Sequence, residues 1–102
     1  MFRAAQSWPA SERSGIASQI KRAALSAGAN IAEGVARRGP RDCARHFNIA
    51  LGSLAEVAYI LRAACDVQLL SIPEYERLAA LEDAAGKLTM GLYRGLRRSI
   101  KE

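Results

Sequence analysis

Residues 19–39, QIKRAALSAGANIAEGVARRG, decide how the rest of the chain is read. Ten of these residues are Ala, Gly or Ser. The few larger apolar side chains fall on Ile20, Ala24, Ala27, Ile31 and Val35, steps of four, three, four and four that trace one face of an α-helix. A face of small residues lets another helix approach closely, so the segment belongs inside a bundle. Beside it runs a polar stripe of Gln19, Arg22, Ser26, Asn30, Glu33 and Arg37. One helix thus carries a packing seam and a row of polar groups side by side.

Working outward, Gly39-Pro40 marks a stop and a restart, with glycine past one helix and proline opening the next. This places a helix over 16–35, or to 38 at the latest, and another over 40–67. The second has a stripe of Phe47, Leu51, Leu54, Ala58, Leu61 and Cys65. Ser71-Ile-Pro-Glu74 reads as a capping box opening a further helix to about residue 99, with Leu78, Leu81, Ala85, Leu88, Leu92 and Leu96 as its buried stripe. Upstream, residues 1–8 read as a short helix that places Phe2, Ala5 and Trp8 on one face and ends at Pro9; residues 9–15 read as a turn. Gly28 and Gly34, and Gly52 with Ser53 in the next helix, are expected at close helix–helix approaches, with a bend as the alternative at the two glycines of the first. Short loops make neighbouring helices antiparallel. The expected fold is all-α: one domain over 1–102, an antiparallel up-down four-helix bundle with a shortened first helix.

At 102 residues, half of them hydrophobic and a quarter charged, the chain has the makeup of a single globular domain. Charges interrupt every apolar run before the roughly 20 residues of a membrane span, and no signal-peptide core is present, so a cytoplasmic protein without a membrane is expected. Cys43 and Cys65 would lie about 33 Å apart on one continuous helix, too far to pair, so free thiols are expected. No ligand-spaced Cys or His suggests a metal, and nothing suggests a cofactor.

The formal charge of +5 is unevenly spread, with basic segments at 20–46 and 93–102 flanking an acidic middle. Such segregation makes a surface for a polyanion, and Arg37, Arg38, Arg41, Arg97 and Arg98 are the candidate nucleic-acid contacts. Asn30 and Glu33 are read as a polar network that fixes register, with Glu33 pairing to Arg37 along its own helix or to Arg45 of the next helix across from it. Arg41 and His46 match the R-x4-H spacing of a family of helical-bundle ribonucleases, in which His moves protons and Arg stabilises phosphate charge. Such spacing arises readily in an Arg-rich helix, and a packed, hydrogen-bonded His46 is the preferred reading. No catalytic set is assigned and no enzyme is indicated.

The segments QIKRAALSAGANIAEG and FNIALGSLAE, with Arg37-Arg38 between them, resemble a four-helix-bundle family. That family includes proteins encoded in intervening sequences of bacterial 23S ribosomal RNA genes, and accessory proteins of diversity-generating retroelements look like its relatives. The resemblance covers about residues 9–100. It implies a homo-oligomer, a ring of five in particular, without an established enzymatic activity, and in the retroelement branch a basic ring that binds RNA or DNA and a reverse transcriptase. Two departures stand out. Ala27-Gly28 replaces the family's usual Ile-Pro, and residues 1–8 are all that is present of a longer first helix, so either the chain starts late within that helix or the bundle has an uncovered groove.

Overall fold

The computed structural model describes residues 10–101, with side chains described over 15–100. It contains three helices: α1 Ala10–Ala36, α2 Pro40–Asp66 and α3 Ile72–Lys101. Among the described residues there is no strand. The short helix expected over 1–8 lies outside them, so three helices, not four, are observed.

Sequence chemistry sets most of the boundaries. Gly39, extended at φ −84° and ψ 134°, precedes Pro40 at the start of α2, and the Cys43 N–H donates to the Gly39 carbonyl at 3.0 Å. α2 ends where Gln68 takes a left-handed φ of 65°. That turn sends the Leu69 N–H back to the Ala64 carbonyl at 2.7 Å and buries Leu69 and Leu70 almost completely. A left-handed non-glycine residue costs about 1–2 kcal/mol, here offset by the burial of two leucines. At the start of α3, Ser71 and Glu74 form a reciprocal box. The Glu74 N–H donates to Ser71 Oγ at 3.2 Å, and Glu74 Oε1 accepts from the Ser71 hydroxyl at 2.8 Å and its N–H at 3.1 Å.

α1 begins six residues earlier than residue 16. Residues 10–15 are helical, not a turn. Gly15 costs a helix only about 1 kcal/mol relative to alanine. Extending a formed helix through it costs less than stopping and nucleating again.

α2 lies in the middle, with α1 packed along one flank and α3 along the other, while α1 and α3 barely meet. The molecule is therefore a single layer of helices, 55 × 22 × 14 Å, about one helix thick. Its radius of gyration is 15.9 Å, against about 13 Å for a compact domain of this length. α2 is long and apolar enough to cross a membrane by length and composition, with a mean hydropathy of 1.2, but here it is the layer's central helix.

The core sits at the pole where α2 turns into α3. Ala23, Val57, Leu61, Ala64, Leu69 and Leu70 are buried there, with Ile16, Ile20, Tyr75 and Leu78 packed around them. Beyond it the layer is open on one face, where an apolar groove of about 390 Å³ runs between α1 and α3 over Leu54, Val57 and Leu61 of α2. The expected buried stripe of α3 is consequently covered only in part: Leu78, Ala85 and Leu96 are half-buried, while Leu81 is 65 %, Leu88 68 % and Leu92 47 % exposed. The periodicity is right, but no described helix lies over that face.

Gly28 lines this groove, and a Cβ there would meet nothing within 4 Å; the same holds at Gly52. Of the glycines expected at a close approach, Gly34 is the one that makes it: a Cβ there would lie 2.7 Å from Phe47 Cε1 and 3.2 Å from the Cys43 carbonyl oxygen. Higher along the α1–α2 seam the hydroxyls of Ser26 and Ser53 meet at 3.0 Å. Both cysteines are free and partly buried.

Candidate nucleic-acid interface

Antiparallel packing brings the end of α1, the start of α2 and the end of α3 to one pole, opposite the core. Arg37, Arg38 and Arg41 arrive there from the α1–α2 connection, and Arg97 and Arg98 from the last turns of α3. The two basic segments of the sequence become one basic end. α2 opens there with Asp42 in its first turn, where a carboxylate favours the helix dipole.

The five arginines do not all stand free. Arg37 donates to Glu33 Oε2 at 2.8 Å along α1 and lies 3.5 Å from Asp42 Oδ2. Among the described residues no carboxylate pairs with Arg38, Arg41, Arg97 or Arg98. Two of these share a furrow of about 230 Å³ between α2 and α3. On α2 its wall is Arg41, Ala44, Arg45 and Asn48, and on α3 it is Tyr93, Arg97 and Ile100. Both sets follow helical spacing, so each helix turns one stripe toward the other across the furrow. Tyr93, Asn48 and Ile100 were not singled out from the sequence. The signal was present in Tyr93, one turn before Arg97 on the same stripe, an aromatic interleaved with basic residues.

Arg45 stands in this wall with its charge already engaged. Its Nε and Nη2 donate to Asp42 Oδ1 at 3.2 and 2.9 Å, and Nη2 also reaches His46 Nε2 at 3.2 Å. The Asp42 carboxyl is held below its ordinary value chiefly by the Arg45 hydrogen bond, with further help from the Arg45 and Arg37 charges. His46, 8 % exposed, meets Asn30 Oδ1 through Nδ1 at 3.1 Å, and Asn30 Nδ2 donates to the Ser26 carbonyl at 2.9 Å. Because the Asn30 amide nitrogen is committed to Ser26, its oxygen must accept. His46 then carries its proton on Nδ1 and accepts from Arg45 on Nε2. A chain of polar contacts thus links α1 to α2 through Asn30, His46, Arg45, Asp42, Arg37 and Glu33. Arg45 lies within it and Asn30 at one end. Of its two expected partners Glu33 takes Arg37 along its own helix and not Arg45, and it departs from the expectation of an interior carboxylate in being more than half exposed.

Arg41 and His46 do not converge. Five residues on a helix turn through about 140°. Arg41 accordingly faces the furrow beside α3, while His46 points toward Asn30 of α1 with both ring nitrogens engaged. Among the described residues no group of three His, Cys, Asp or Glu side chains could hold a metal ion.

The geometry defines a class: a small, basic, all-helical protein whose cations gather at one pole and whose apolar face lies open. Residues 1–91 match the family model for the 23S rRNA-intervening sequence protein, and the chain belongs to that family. No curated protein and no solved structure matches it significantly.

Proposed function

We propose that the chain is a non-enzymatic, homo-oligomeric protein that binds nucleic acid through its basic pole, alone or within a larger nucleoprotein. The observation that carries this is the convergence of arginines from three helix ends, with Arg38, Arg41, Arg97 and Arg98 lacking carboxylate partners among the described residues. Unpaired like charges at one pole repel one another, and a polyanion relieves that repulsion.

The oligomeric part rests on the open apolar face. Leu81, Leu88 and Leu92 of α3 stand about half to two-thirds exposed on the face that carries the apolar groove of about 390 Å³. Further copies of the chain covering the groove would bury these leucines. A ring of five is the assembly that the sequence resemblance implies.

Nucleic-acid binding is tested by titrating labelled RNA and DNA at about 50 and 200 mM salt. Affinity should fall steeply, and duplex binding should lose close to one unit of log–log salt slope for each phosphate-contacting arginine changed to alanine. Absence of binding to both nucleic acids at low salt overturns the reading.

A further inference from the structure

Charge alone treats duplex and single strand alike, yet the furrow at the basic pole offers more than charge. Its walls combine two arginines without carboxylate partners among the described residues, Arg41 and Arg97, with an aromatic ring, Tyr93, an amide, Asn48, and the apolar Ala44 and Ile100. Resting on the nucleic-acid reading above, we propose that this furrow is a single-strand site, in which Tyr93 stacks on an unpaired base while Arg41 and Arg97 hold the adjacent phosphates.

Size and composition both favour this occupant. About 230 Å³ is below the roughly 300 Å³ at which pockets for drug-sized ligands begin, and suits one planar base in an open-sided furrow. The furrow runs about 10 Å along α2 from Arg41 to Asn48, enough for a base and its neighbouring phosphate. A duplex keeps its bases stacked on one another and presents only phosphates and groove edges here, so it gains nothing from Tyr93. Single-strand binding surfaces pair basic tracks for the backbone with aromatic rings for the bases.

Arg45 has a different part. Its guanidinium is held by Asp42 and His46, which keeps it in the wall of the furrow. The ligand's negative charge therefore falls to Arg41 and Arg97. Asn48, with a donor and an acceptor on its amide, is placed to meet a base edge.

The test compares a labelled 12-nucleotide single strand, as RNA and as DNA, with the duplex of the same sequence, by fluorescence anisotropy on the full chain. Single strands should bind more tightly than the duplex. Tyr93→Ala should weaken single-strand binding about 5- to 100-fold and leave the duplex unchanged. Tyr93→Phe should retain affinity. Tyr93→Leu, which keeps apolar bulk but has no π-face, should lose it while circular dichroism shows the helices intact. Arg97→Ala should lower the single-strand salt slope by about 0.7. Equal affinity for single strand and duplex, or a Tyr93→Leu variant that binds single strands as the parent does, overturns the proposal and leaves the basic-pole reading standing. Loss of all nucleic-acid binding in the parent protein overturns that broader reading instead.

Discussion

Two glycines on α1 show how much a single Cβ can decide. Gly34 is buried against Phe47, itself 4 % exposed, and an added methyl would come within 2.8 Å of two of its ring carbons. Phe47 is held in the α1–α2 seam and has little room to yield, so Gly34→Ala should destabilise the protein by about 1–3 kcal/mol. In the single chain Gly28→Ala should do the opposite and stabilise it by about 1 kcal/mol, because a methyl there meets no other atom of the chain and improves helix propensity. Urea denaturation of the two variants checks both signs, and equal effects would contradict the packing described. From the sequence the two positions looked alike, each a glycine in a small-residue helix. Six residues turn the helix by about 240°, which places one glycine in the seam and the other in the groove. Helical periodicity ranks residues around an axis, but it does not say which sector a neighbour occupies. The same limit hid the role of Glu33, whose place on a polar stripe said nothing about whether that stripe faced α2 or water.

At the scale of elements, boundaries were legible wherever local chemistry forces them. Gly39-Pro40 and the Ser71–Glu74 box mark the starts of α2 and α3 within a residue. The start of α1 was expected too late, at residue 16, because the helix's tolerance of Gly15 was not visible. α3 carries the clearest mismatch between pattern and environment, since its leucine stripe lines an open groove. Glu82 sits in that groove, and burial, together with the neighbouring Asp83 charge, pushes its carboxyl above the ordinary value of 4.5. Ionised Glu82 is therefore disfavoured in the folded state. The resulting penalty is full above its raised folded-state pKa and vanishes below the unfolded value. Glu82→Gln should raise the melting temperature at pH 7 and leave it nearly unchanged at pH 4. A gain of the same size at both pH values would show that packing, not charge, is responsible.

For the whole molecule, fold class and topology were readable because three long helices joined by short connections have few ways to pack. An uncovered groove was one of two outcomes expected from the shortened first helix; what covers that groove was not readable, because a leucine stripe does not reveal its partner. Antiparallel topology also made the basic pole legible in outline: arginines near residues 40 and 97 must meet once α2 and α3 pack side by side. Tyr93 escaped because attention to charge passes over the aromatic between the cations. The open face sets the last prediction. Leu81 and Leu88 lie on one stripe of α3, both about two-thirds exposed, and such leucines in a layer one helix thick are far from their preferred environment. If further copies of the chain cover the groove, assembly and stability are linked, and the melting temperature should rise with protein concentration. Replacing both leucines with glutamate places charge where the neighbouring copy would pack, a cost of several kcal/mol in an apolar contact. Sedimentation equilibrium should then find an oligomer for the parent chain and a monomer for Leu81→Glu/Leu88→Glu, while circular dichroism at matched concentration reports the helices that remain. A parent chain that sediments as a monomer with a concentration-independent melting temperature would show that copies of the chain do not cover the groove. Nucleic-acid binding at the opposite pole should be weakened in the double variant only through lost multivalency, so that affinity for a short strand occupying one site is preserved.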